Sequence, residues 1–122
     1  MKHRVMLVED DLTMRSLLQT LLNIEGFEVI EVPKVEHLEA VLGVAQIQKP
    51  DLILLDVGLR QFNGFDLLNR IRGDPNINET RVLMTSGMDF QARCSKEGAD
   101  GFILKPYMPE ELICQIREIL GD

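Results

Sequence analysis

Cysteine is scarce in this chain: two residues, Cys94 and Cys114, with no CxxC and no metal-ligand spacing between them. That excludes a disulfide framework and a thiolate metal site, and leaves two reduced thiols in a cytosolic setting as the expectation. Cations are also short. Thirteen Lys and Arg face twenty Asp and Glu, a net charge of −7, so no basic stripe is available for direct nucleic-acid or acidic-membrane binding. No apolar run nears the length of a membrane span, and Met1-Lys2-His3-Arg4 leads straight into a short branched run rather than a signal-peptide core. Repeats, low-complexity segments and interdomain linkers are absent. A chain of 122 residues with 45% hydrophobic content reads as one compact domain, able to bury roughly two-thirds of its unfolded surface.

What the chain does have is a set of acids at the ends of apolar runs. Val5-Met6-Leu7-Val8 ends in Glu9-Asp10-Asp11, and Leu52-Ile53-Leu54-Leu55 ends in Asp56. Short branched runs of this kind read as strands buried on both faces of a parallel sheet. The acids then lie at carboxyl ends of strands, where open α/β sheets place ligand sites. Crowded carboxylates repel one another, and a divalent cation is the natural remedy; Mg²⁺ fits best, since it takes oxygen ligands and needs few carboxylates beside a phosphate.

Periodicity predicts five βα units. Strands are expected at 4–8, 27–32, 52–56, 81–85 and 101–104. Helices are expected at about 12–25, 34–45, from Gly64 to the break at Gly73-Asp74-Pro75, near 90–96, and from Pro109 onward. The apolar face of the first helix reads Met14, Leu17, Leu18, Leu21 and Leu22; that of the second reads Leu38, Val41 and Leu42. Strict alternation with short connections implies a parallel sheet, right-handed crossovers and helices on both faces. Strand order does not follow from the pattern.

Glu9-Asp10-Asp11, Asp56 with Gly64 eight residues on, Ser86-Gly87, and Gly98-Ala99-Asp100-Gly101-Phe102 running into Lys105-Pro106 together resemble a response-regulator receiver domain. The resemblance covers the whole chain in order. It implies an α/β, flavodoxin-like (βα)5 three-layer sandwich of strand order 2-1-3-4-5, a single receiver domain over 1–122 with no output domain, and a cytoplasmic signalling switch rather than an enzyme in the ordinary sense. By the same resemblance, Asp56 is the phosphoacceptor, charged by a sensor histidine kinase or a histidine phosphotransfer protein. Asp10, Asp56 and the Gly58 carbonyl would bind Mg²⁺, with Glu9 acting directly or through water. Lys105 would supply the cation, across a cis bond to Pro106. Ser86 and Phe102 would carry the switch to a downstream target protein through the face of helix four, strand five and helix five, the chain being a monomer or a phosphorylation-dependent dimer.

Alternatives stay open at three residues. Thr85 rivals Ser86 for the hydroxyl role, though the count from Val82-Leu83-Met84 and Gly87 favours Ser86; Phe102 has plain core packing as its alternative, and Asp11 reads better as a helix cap than as a site acid. Departures from the family pattern are Arg60 where proline is usual, Met108 before Pro109 where a polar cap is usual, and a fourth helix shortened by about a turn. Gly58 and Met88 offer no polar side chain to orient an attacking water, which predicts slow self-dephosphorylation. Three other classes compete with this resemblance. A haloacid-dehalogenase-type phosphatase needs a general acid where Gly58 stands, and a flavodoxin needs a phosphate-cradling loop where Glu9-Asp10-Asp11 stands. A pseudo-receiver, an interaction module that is never phosphorylated, is the serious alternative.

Overall fold

The computed structural model describes residues 2–32 and 35–121. Strands β1 (Arg4–Val8), β2 (Glu28–Ile30), β3 (Leu52–Asp56), β4 (Arg81–Ser86) and β5 (Gly101–Leu104) alternate with helices α1 (Leu12–Ile24), α2 (Leu38–Gln48), α3 (Gly64–Arg72), α4 (Gln91–Lys96) and α5 (Pro109–Leu120). All neighbouring strands are parallel, in the order β2-β1-β3-β4-β5. This is the flavodoxin-like order that the resemblance implied. Because β1 and β3 are adjacent and in register from Val5↔Leu52 to Val8↔Leu55, Glu9 and Asp56 emerge side by side at one edge of the sheet.

Every residue of β3 is buried, as a central strand covered on both faces must be. The two-residue strand period divides the core into two layers. Val5, Leu7, Leu52, Leu54 and Leu83 face Leu18 and Leu22 of α1 and Leu112, Ile113 and Ile116 of α5. Met6, Val8, Ile53, Leu55, Val82 and Met84 face Val41, Leu42 and Ala45 of α2, the Phe65–Ile71 face of α3, and Cys94 of α4.

Local chemistry sets most element ends. Asp11 accepts the Met14 N–H at 3.0 Å and caps α1, the role favoured from sequence. Gly26, at φ 91, supplies the left-handed residue that turns the chain into β2. Met108 caps α5 with no side-chain hydrogen bond, while Pro109 takes the first helical position.

Four expectations are corrected. Strand β2 is three residues, not six, because it is an edge strand whose partner pairs only through Arg4–Met6. Helix α2 begins at Leu38 and runs to Gln48, stopped by Lys49 in the left-handed region (φ 46) just before Pro50; the earlier start at Lys34 lies outside the described residues. Leu17 is 62% exposed, since only Leu18 and Leu22, four apart, point squarely at the sheet. Strand β4 runs one residue further, to Ser86.

Both thiols are free. Cys94 is buried beside Met84 (Sγ–Sδ 3.7 Å), and burial pushes its pKa up to about 11, which leaves it unreactive; Cys114 is exposed on α5. Among the described residues, no helix is long and apolar enough to cross a membrane.

Candidate functional site

Three strand ends converge on the site. Glu9 and Asp10 follow β1, Asp56 ends β3, and Lys105 follows β5. Carboxylate oxygens of Glu9, Asp10 and Asp56 lie within 4.8 Å of one another. Lys105 Nζ stands 3.4 Å from Asp56 Oδ2 and 3.5 Å from Glu9 Oε2, a single ammonium shared by two nearly buried acids. The Lys105–Pro106 peptide bond is cis. The Lys105 N–H donates to the Ser86 carbonyl at 2.8 Å, so β4 holds the end of β5 in place.

Asp56 is 8% exposed and Glu9 3%. Main-chain donors steady the acids: Asp11 N–H to Glu9 Oε1 at 3.1 Å, Gly58 N–H to Asp56 Oδ1 at 3.3 Å, and Arg60 N–H to Asp10 Oδ2 at 2.7 Å. The start of α3 presses on the same spot. A Cβ at Gly64 would sit 2.5 Å from the Asp56 carbonyl oxygen and 2.9 Å from Val57 Cα. The expected spacing of Gly64 from Asp56 thus has a steric basis.

Ser86 is the last residue of β4, one beyond Thr85, the register partner of Asp56. Its Oγ accepts the Met88 N–H at 3.1 Å. By the strand period Ser86 shares the face of Met84, which pairs with Phe102, and Phe102 packs, half-buried, against the core under α4. Thr85 shares the opposite face with Leu83.

The Glu9 carboxyl is held above its ordinary value of 4.5, chiefly because burial disfavours its anion; the Asp11 N–H and Lys105 oppose this, and Asp56 and Asp10 add to it. The folded chain therefore holds this proton more tightly than the unfolded chain. The corresponding stability is present below pH 4.5 and is lost as pH rises through the folded value. In chelator, Glu9→Gln is expected to match the native chain in acid and to exceed it in stability at pH 7. Urea titrations of both proteins across that range check this; a glutamine variant less stable at pH 7 would contradict it.

Sequence reasoning passed over two features. The Tyr107 hydroxyl, two residues past Lys105, is buried with no hydrogen-bond partner among the described residues; its pKa is pushed up to about 12 by burial and by Glu9 and Asp56. The bond from Arg60 to Asp10 comes from the main chain, so residue type could not announce it.

The sequence pattern of the response regulator receiver domain matches residues 5–117. The chain belongs to this family. It is a receiver domain of two-component signalling. The DNA-binding response regulator MtrA of Mycobacterium tuberculosis (strain H37Rv) is 31% identical over 119 residues, covering 96% of this chain and 50% of the relative. The receiver thus spans about half the length of the curated relatives it matches. A Chloroflexus aurantiacus protein classed as a response regulator superposes with a TM-score of 0.89 at 28% identity, covering all of both chains. The receiver domain of the sensor histidine kinase PA1611 from Pseudomonas aeruginosa, with a magnesium ion coordinated in its active-site cleft, shares the fold at TM-score 0.85 and 21% identity, again over both whole chains.

Proposed function

We propose that this receiver accepts a phosphoryl group on Asp56 from a phosphohistidine of a sensor kinase or phosphotransfer protein. The carrying observation is the shared ammonium, Lys105 Nζ at 3.4 and 3.5 Å from Asp56 and Glu9, beside three clustered carboxylates. An Asp56 carboxylate oxygen forms the new O–P bond as the P–N bond breaks and imidazole leaves. Lys105 balances charge on the transferring oxygens and on the acyl phosphate that results.

The donor set fits Mg²⁺, for it is all oxygen and anionic. Asp10, Asp56, the Gly58 carbonyl and Glu9, directly or through water, would hold it. When bound, Mg²⁺ neutralises the carboxylates and the incoming phosphoryl group. Intact-mass measurement after incubation with acetyl phosphate is expected to show one phosphoryl group added with Mg²⁺ and none without it. No addition to folded, Mg²⁺-binding protein would favour the pseudo-receiver.

Phosphorylation is read out through Ser86 and Phe102. They share one face of the sheet, so a hydroxyl drawn toward the phosphoryl group vacates space into which Phe102 turns, and the surface around α4, β5 and α5 changes. That surface would meet the downstream target. Helix α1 and the segment Lys105–Pro109 would meet the kinase. The chain would act as a switch, promoting only its own phosphorylation and dephosphorylation.

The acyl phosphate is expected to persist. A Cβ at Gly58 meets nothing within 4 Å, and Met88 is 67% exposed, so polar side chains fit at both positions. Gly58→Asn and Met88→Glu are each expected to shorten the phosphoryl half-life, as followed by intact mass after removal of the donor, by orienting an attacking water. Unchanged half-lives in both would sink the idea.

A further inference from the structure

Helix α4 is fastened at one end and lightly held at the other. Just past its C-terminal end, Arg72 of α3 donates from Nε to the Gly98 carbonyl and from Nη2 to Asp100 Oδ2, both at 2.9 Å. Asp100 Oδ2 also accepts the Val82 N–H at 2.7 Å, so this end is tied to α3 and β4 together. The N-terminal end has no side-chain cap at Phe90. A short segment, Gly87 to Asp89, joins it to Ser86, whose Oγ accepts the Met88 N–H at 3.1 Å.

A second hold on the N-terminal end comes from α3. The Phe90 ring meets the Phe65 ring edge-on, with centroids 5.7 Å apart and planes at 84°. Further along α4, the Arg93 guanidinium lies over the Phe65 ring, its Cζ 3.9 Å from the centroid. A guanidinium so placed is attracted by the negative face of the ring. Phe65 is buried, and the half-exposed Arg93 side chain is part of its cover. Glu97, paired with Arg93 and bonded by Asn69 Nδ2 at 3.1 Å, steadies the guanidinium from below. Phe65 in turn follows Gly64, which abuts the Asp56 and Val57 backbone, so the ring under Arg93 is firmly placed relative to Asp56.

We propose that Arg93, lying across Phe65, is the latch that keeps α4 in its resting position, and that phosphorylation releases it. This rests on reading Asp56 as the phosphoacceptor and Ser86 as the hydroxyl that answers it. When Ser86 Oγ is drawn to a phosphoryl oxygen it leaves the Met88 N–H, and the Gly87–Asp89 segment is freed. The stack on Phe65 is then the remaining hold on that end of α4. With the far end fastened by Arg72, the helix swings about Gly98 and lifts Arg93 off the ring. The latch thereby sets how strongly the resting state is favoured before any phosphoryl group arrives.

Arg93→Ala is expected to tighten binding of beryllofluoride, a phosphoryl mimic, in the presence of Mg²⁺ by about two- to fivefold, the factor one exposed cation–π contact is worth. Calorimetric titration reads this. Phe65→Leu removes the ring and keeps the site apolar; it too is expected to bind more tightly, and adding Arg93→Ala to it is expected to give no further gain. Arg70→Ala, which removes the exposed pair between α3 and Glu39, is the control and should bind as the native chain does. Hydrogen exchange of the 91–97 amides gives an independent readout. It is expected to quicken in Arg93→Ala without ligand and to match the native chain once beryllofluoride is bound, since the latch is then open in both. Native or weaker affinity in Arg93→Ala, gains that add in full in the double variant, or an exchange difference that persists in the bound state each overturn the latch and leave the phosphoacceptor reading standing. A folded native chain that binds no beryllofluoride with Mg²⁺ overturns that reading first, and the latch with it.

Discussion

Asp56→Asn is expected to abolish phosphorylation by acetyl phosphate at every Mg²⁺ concentration, with the native chain gaining one phosphoryl group under the same conditions. The substitution keeps the shape of the side chain and changes its chemistry. A carboxamide oxygen is neutral and a poor nucleophile, and its nitrogen lone pair is delocalised. The ion pair with Lys105 at 3.4 Å is lost as well, so the ammonium is left to Glu9 alone. The fold should survive, because an 8%-exposed residue is replaced by one of equal size and a carboxylate is removed from a crowded acidic cluster. In chelator the variant is expected to melt no lower than the native chain. Intact mass and a thermal melt measure both halves. A phosphoryl group still found on the asparagine protein would place the acceptor elsewhere.

Gly64→Ala makes the second large effect, and here two physical rules disagree in sign. Alanine in the first turn of a helix improves intrinsic propensity by as much as about 1 kcal/mol over glycine. Against this, the new Cβ would lie 2.5 Å from the Asp56 carbonyl oxygen, 2.9 Å from Val57 Cα and 3.2 Å from the Asp56 carbonyl carbon. All three are backbone atoms, which cannot swing away as a long side chain could. The contact should win. Separating α3 from the end of β3 strains the Gly64 N–H to Val57 bond and shifts Asp56 itself. The expected net loss is roughly 2–3 kcal/mol, a fall of about 10 °C in Tm for a domain of this size, with weaker Mg²⁺ binding. Gly58→Ala, whose Cβ meets nothing within 4 Å, is the control and should change little. A Gly64→Ala protein as stable as the native chain would show that the helix can back away freely.

These two residues illustrate what residue order makes legible. Asp56 is visible because a branched apolar run ending in an acid marks a buried strand and its carboxyl end. The same logic placed Glu9, Asp10 and Lys105 at strand ends before any strand order was known. The same helical period runs through α3 and α5: Phe65, Leu67, Leu68, Ile71, Leu112, Ile113 and Ile116 are buried, and Ile119 and Leu120 are half-buried. Helix α2 and strand β2 were misjudged at their ends because partners set them. Strand β2 pairs on one side only, and α2 stops where Lys49 turns left-handed before Pro50. Leu17 looked internal because apolar character says nothing about a rotation of one residue around a helix.

Sequence by itself determined that this is an α/β chain with acids and a lysine at its strand ends, and, through an ordered set of short motifs, that it is a receiver domain. Those features are local: periods of two and 3.6, turn residues, and the types of side chain at a run's end. Tertiary structure alone decided how the pieces meet. It set one ammonium between Asp56 and Glu9, placed Ser86 and Phe102 on one face, raised the Glu9 carboxyl by burial, and brought the Arg60 amide to Asp10. Each of these depends on a distance between residues far apart in the chain, and the last on a main-chain N–H that almost any residue at that position would carry.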